Sequence, residues 1–165
     1  LLGLLGHSRG GALSMLAAAA DHDVRGVAVW GAIATIDRMT ERRKEFIRRT
    51  GLHRSSSPSI RVTLEPGPDF LDDLDENRSR LDIRRAVERL ARPLLVLHGE
   101  QDLVVRTSEA QLLAGYGDPR LTTLKVIPHA SHTFGTDHPF SGTTPPLERA
   151  IDETARFFLA HLTQS

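Results

Sequence analysis

The stretch Leu1-Leu2-Gly3-Leu4-Leu5-Gly6-His7-Ser8-Arg9-Gly10-Gly11 decides the fold class. A short apolar run that stops at a glycine suits a strand buried on both faces. The residues that follow, Arg9 to Ala20, are rich in Ala, Leu and Met and predict a buried helix. Between the two, Gly6-His7-Ser8-Arg9-Gly10 matches the pattern G-x-S-x-G. A strand-to-helix turn of this kind holds its serine in a strained backbone conformation, with the hydroxyl lifted above the sheet. Side chains two positions away would crowd the turn, which accounts for glycine at both Gly6 and Gly10. The plainer alternative is a tight loop whose serine caps the helix.

Outward from this turn, strands and helices alternate. Val24 to Trp30 is an apolar, β-branched strand closed by Gly31. Asp37 to Arg49 is charged with helical spacing; Asp37 or Thr40 is its N-cap and Gly51 its stop. Leu52 to Pro68 carries the breakers SSSPS and EPGP, with room for one short strand at Ile60 to Leu64. Asp69 to Asn77 and Leu81 to Leu90 read as helices, and Pro93 to His98 as a third strand. Thr107 to Ala114 is a helix capped by Thr107 or Ser108, Leu121 to Ile127 a fourth strand, and Pro146 to Leu162 an amphipathic helix. Alternation of this kind predicts parallel strands joined by right-handed crossovers, in a sheet with helices on both faces. Ligands of such sheets bind at the carboxyl ends of the strands.

Composition narrows the chemistry. The 165 residues fit one domain or part of one, with 39% hydrophobic and 25% charged residues. Lys plus Arg equals Asp plus Glu, at 21 each, so no net basic charge favours a nucleic-acid partner. The absence of cysteine excludes disulfides, thiolate catalysis and thiolate-bound metals. No apolar run approaches the roughly 20 residues of a membrane span. The opening at Leu1, already within an apolar strand, leads us to expect the C-terminal part of a longer protein. A cytoplasmic location is the default expectation, and the oligomeric state is undetermined by the sequence.

A serine becomes a useful nucleophile only with a base beside it and a carboxylate orienting that base. Asp102, in His98-Gly99-Glu100-Gln101-Asp102 just past the third strand, is the candidate acid, with Glu100 its competitor. His132, in the loop after the fourth strand, is the candidate base, with His129 its rival. The order Ser…Asp…His is the one expected for a serine on such a turn.

The chain resembles the α/β-hydrolase superfamily through GHSRGG at 6–11, LLVLHGEQDLVV at 94–105 and VIPHASHTF at 126–134. Phe70 to Leu74 and His138 to Thr143 resemble the dienelactone-hydrolase-like and serine-peptidase-like branch. The resemblance spans 1–165 as the second half of a domain, from the nucleophile strand to the last helix, with a small insertion or cap around 36–90. It implies Ser8 as nucleophile, His132 as base, Asp102 as acid, and the backbone N–H of Arg9 as one oxyanion donor. The second donor of the family comes from a loop that is not in this sequence, and Leu1 to Leu5 would be an unprotected sheet edge. Serine at the turn departs from the cysteine of dienelactone hydrolases and from the aspartate of dehalogenases and epoxide hydrolases. The implied reaction is hydrolysis of an ester-like bond in a small molecule, without a cofactor. A peptide substrate and a non-catalytic fragment are the alternatives.

Other features admit plainer readings. His129, His132, Asp137 and His138 are close in sequence but lack metal-ligand spacing, so no metal site is expected. Arg42, Arg43, Lys44, Arg48 and Arg49 read as a solvated helix face. His7, Trp30 and Phe134 are candidate pocket residues. Met39 and Phe140 carry the same reading, with core packing as the alternative for the hydrophobic ones.

Overall fold

The computed structural model describes residues 1–51, 55–57, 62–64 and 68–162. Strand β1 (Leu2–His7) runs into helix α1 (Arg9–Ala20), and strand β2 (Val24–Trp30) follows. Helix α2 (Glu41–Thr50), the short strands β3 (Ser55–Ser57) and β4 (Val62–Leu64), and helices α3 (Asp69–Glu76) and α4 (Ile83–Arg89) intervene before strand β5 (Leu94–Gly99). Helix α5 (Thr107–Tyr116), strand β6 (Thr122–Ile127) and helix α6 (Pro145–Leu162) complete the order. Strands β1, β2, β5 and β6 form one parallel sheet in the order β1-β2-β5-β6. The expected parallel α/β architecture is therefore present.

The sheet has two buried faces because side chains alternate across it. Val27, Val29, Leu94 and Val96 point into one core cluster with Met15, Ile83, Val87 and Leu113, contributed by α1, α4 and α5. Ala28, Leu95 and Leu97 point into a second cluster with Ala150 of α6 and Phe134. All six residues of β5 are buried, which makes it the most enclosed strand of the four-stranded sheet. β1 is an edge of the four-stranded sheet, and Leu2 and Leu5 on it are exposed. Close approach of α1 to the sheet depends on Gly11, where a Cβ would stand 2.7 Å from the Cβ of Ala32.

Phe134 is among the largest fully buried side chains. Phe134→Ala is expected to cost about 3–5 kcal/mol of stability, through lost burial and the cavity left behind. A shift of the urea midpoint with an unchanged slope would verify this; a loss below about 1 kcal/mol would show that the site collapses to fill the space.

Several local expectations are corrected. Helix α2 starts at Glu41 with Thr40 as its cap, the Thr40 hydroxyl accepting from the N–H of Arg43, while Gly51 closes it in the left-handed region. Asp37 instead pairs with Lys44, as does Glu41. Lys44 is thus buried rather than part of a solvated basic face, and hydrogen bonds to Asp37 and then Glu41 raise its pKa. The SSSPS segment, read as a breaker, contributes β3, which pairs antiparallel with β4. Pairing with a β-branched partner segment overrides weak strand propensity. Of the strand expected at Ile60 to Leu64, Val62–Leu64 is observed and residues 60 and 61 lie outside the described residues. The cap of α5 is Arg106, which makes no side-chain capping bond, rather than Thr107 or Ser108.

Candidate active site

Ser8 joins β1 to α1 with φ 56° and ψ −121°, a conformation that costs on the order of 1–3 kcal/mol for a residue with a side chain. Its N–H donates to the carbonyl of Trp30 at 2.8 Å, which ties the turn to the end of β2. Its side chain makes no capping bond to α1, although it occupies the N-cap position. The hydroxyl is therefore not consumed by the helix, and the capping reading of Ser8 loses its basis. Gly6 is required by geometry, since a Cβ there would lie 2.3 Å from the carbonyl oxygen of Gly10. The matching argument for Gly10 does not hold among the described residues, because a Cβ there would meet nothing within 4 Å. Arg9 occupies the first helical position, whose N–H has no acceptor within the helix itself.

Asp102 sits in the turn after β5, with its side chain fully buried. One carboxylate oxygen, Oδ1, accepts from the N–H groups of Val104 at 2.9 Å and Val105 at 2.8 Å. The other, Oδ2, lies 2.7 Å from Nδ1 of His132. With a carboxylate as acceptor, Nδ1 carries the proton and Nε2 is left unprotonated in the neutral ring. Glu100 and His129 pair elsewhere. Oε2 of Glu100 accepts from the backbone N–H of His129 at 3.0 Å, and both side chains are largely exposed.

Packing of glycine against backbone brings the loops that carry Asp102 and His132 together. The N–H of Gln101 donates to the carbonyl of Ala130 at 2.9 Å, and a Cβ on Gly99 would lie 2.4 Å from that same oxygen. Gly31, at the end of β2 with φ 50°, has a similar role. A Cβ on it would stand 3.2 Å from both Oδ2 of Asp102 and Nδ1 of His132. The sequence reading took Gly31 only as a strand terminator. Its signal was its position, just past the carboxyl end of a strand that pairs with the one leading into Ser8.

His7 lies against His132. Its Nε2 is 2.9 Å from the carbonyl oxygen of His132, and the two ring centroids are 4.6 Å apart. Trp30 and Phe134 belong to the core beneath. They meet edge to face at 5.4 Å, and Nε1 of Trp30 donates to Oγ1 of Thr154 at 2.9 Å. Two clefts of about 390 and 350 Å³ flank α4, lined in part by Leu16 and Arg85, and by Ile36 and Tyr116 respectively; neither lining includes Ser8, Asp102 or His132. Among the described residues no group of three or more His, Asp or Glu is placed to hold a metal ion.

Partial burial lowers the pKa of His7 from its ordinary 6.5, outweighing the hydrogen bond to the His132 carbonyl, which raises it. A histidine whose pKa the fold lowers contributes stability that is present above its unfolded value and lost as the pH falls, because the unfolded chain then binds the proton more readily. Urea unfolding of the wild type is therefore expected to show a steeper loss of stability between about pH 7.5 and about pH 5.5 than unfolding of His7→Asn. Equal slopes for the two proteins would remove His7 from the account.

No protein-family model and no curated protein matches the sequence. Solved structures do match. The esterase domain of a Rhodothermus marinus protein superposes with a TM-score of 0.69 at 18% identity, over 97% of this chain and 61% of that one. Est1E from Butyrivibrio proteoclasticus gives 0.67 at 20% identity, over 97% and 60%. A puromycin-hydrolyzing peptidase of Mycobacterium tuberculosis gives 0.64 at 20% identity, over 99% of this chain and 22% of that one. The chain has the α/β-hydrolase fold. It spans about three fifths of the length of the two esterase structures. Within the α/β-hydrolase fold, β1 and α1 flank the candidate nucleophile, and the turns after β5 and β6 carry the candidate acid and base. No helix among the described residues is long and apolar enough to cross a membrane.

Proposed function

We propose that this chain carries the catalytic triad of a serine hydrolase that cleaves an ester-like bond through an acyl-serine intermediate. The observation that carries the proposal is the 2.7 Å contact between the buried Asp102 carboxylate and Nδ1 of His132; the strained backbone of Ser8, whose hydroxyl caps no helix, supports it. Nε2 of His132 takes the proton of Ser8 as Oγ attacks the substrate carbonyl. It returns that proton to the leaving alcohol, then activates a water for deacylation. Asp102 fixes the Nδ1–H tautomer and stabilises the imidazolium. The N–H of Arg9, at the positive end of α1, supplies one donor to the oxyanion. The esterases among the structural neighbours favour a small-molecule ester as substrate. The similarity to a puromycin-hydrolyzing peptidase favours an amide as the second reading.

The test is labelling with a fluorophosphonate probe, in the protein that carries this chain, comparing wild type with Ser8→Ala. Label on the wild type alone is expected; no label on the wild type, or equal label on both, rejects the assignment. A panel of p-nitrophenyl esters and aminoacyl anilides then separates the substrates, and turnover of anilides alone would overturn the ester reading.

A further inference from the structure

His98 is a histidine that the proposed reaction does not use. It lies at the end of β5 and is completely buried. Its Nε2 is 2.9 Å from the carbonyl oxygen of Val105 and 3.4 Å from Oδ2 of Asp102. Its Nδ1 is buried with no hydrogen-bond partner. These three facts determine where the ring proton is. Both neighbours of Nε2 are acceptors, so Nε2 must carry the proton. A proton on Nδ1 would be a buried donor with nothing to receive it, whereas an unpaired acceptor on an imidazole is the less costly orphan.

The bonds around His98 form a closed circuit. Oδ1 of Asp102 accepts from the N–H of Val105, the Val105 carbonyl accepts from Nε2 of His98, and that nitrogen lies 3.4 Å from Oδ2 of Asp102. The acid loop from Gly99 to Val105 is thereby fastened back onto β5, the strand with every residue buried. The bonds of Glu100 and Gln101 to Ile127 and Ala130 hold the first half of the turn; beyond Asp102, where Leu103 and Val104 are exposed, the bond from His98 ties the segment back at Val105.

We infer that His98 is a positioning residue for the catalytic acid: its Nε2–H, given to the Val105 carbonyl with Nε2 3.4 Å from Oδ2 of Asp102, holds the carboxylate in the orientation that serves His132. The inference rests on the reading of Ser8, Asp102 and His132 as a triad, and it extends that reading to a residue that touches neither substrate nor nucleophile.

A matched pair of variants tests it in the protein that carries this chain. His98→Gln keeps an amide donor at about the place of Nε2, and His98→Asn is one methylene too short to reach. With an ester that the wild type turns over, His98→Asn is expected to lower kcat by about 10- to 100-fold with KM little changed, as a misplaced catalytic group does. His98→Gln is expected to stay within about threefold of wild type. The far-downfield proton resonance of the His132–Asp102 hydrogen bond should shift or broaden in His98→Asn and persist in His98→Gln. Equal activity of the two variants, whether both high or both low, overturns the inference. Nitrogen-15 spectra of the wild type provide a check that does not depend on either variant folding: His98 should be the Nε2–H tautomer, and a proton found on Nδ1 also overturns it. A wild type that takes no fluorophosphonate label would instead reject the triad itself, and the tautomer measurement would still stand on its own.

Discussion

Replacing Ser8 by alanine is expected to lower kcat by about a million-fold on any ester that the wild type turns over, to the residual rate left by binding and oxyanion contacts. The variant should remain folded. The Ser8 side chain caps nothing, and the N–H to Trp30 bond is made by backbone, which alanine keeps. Alanine at φ 56° is as strained as serine, so the fold energy should change little. Activity lost together with stability would mean that the turn, rather than the hydroxyl, had been damaged. A folded variant with activity within tenfold of wild type would place the nucleophile elsewhere.

The second large effect is expected of Asp102→Asn, at about 10⁴-fold in kcat. The substitution preserves shape, and an asparagine oxygen can still accept from the N–H groups of Val104 and Val105. The amide NH₂ then faces Nδ1 of His132, where the carboxylate stood at 2.7 Å. A donor in that position selects the opposite imidazole tautomer, with its proton on Nε2, and a protonated Nε2 cannot accept from Ser8. The same NH₂ would oppose the Nε2–H of His98, so the variant should also lose some stability. Glu100→Gln is the matched control. Its carboxylate accepts from the backbone of His129 at the surface, and its loss should leave kcat within about threefold of wild type. If Glu100→Gln lost activity and Asp102→Asn kept it, the two carboxylates would have to exchange roles.

The parts of this molecule that the sequence determined by itself are those governed by local periodicity and by composition. The apolar runs at 24–30 and 93–98 lie on the two inner strands, which are covered on both faces and so are apolar nearly throughout, while the run at 1–5 and the alternating segment 121–127 lie on the two edge strands. Gly6 was legible as a steric requirement, and the Cβ contact of 2.3 Å agrees with it. Segments whose outcome depends on remote partners were not legible. Asp37 looked like a helix cap and became the partner of a buried Lys44, a pairing that exists only once α2 has packed. Ser55–Ser57 looked like a breaker and became a strand because Val62–Leu64 lies alongside it.

The same division runs through the candidate site. Ser8, Asp102 and His132 were nameable from motif and order, since each lies just past the carboxyl end of an apolar run. Which carboxylate and which histidine meet was a tertiary decision. Glu100 and Asp102 are two residues apart, as are Gly99 and Gln101, and only the packing of the turn against Ala130 sends Asp102 inward and Glu100 to solvent. Trp30 and Phe134 were indistinguishable as pocket or core, because aromatic side chains serve both; the tertiary structure packs both into the cluster that includes Ala150 of α6, Trp30 half-buried and hydrogen-bonded to Thr154 and Phe134 fully buried. His98 and Gly31 carried no motif that set them apart. The relation of Gly31 to Asp102 arises from β2 and β5 brought side by side, a contact that no spacing along the chain encodes; that of His98, four residues before Asp102, arises from the turn after β5 folding back on the strand.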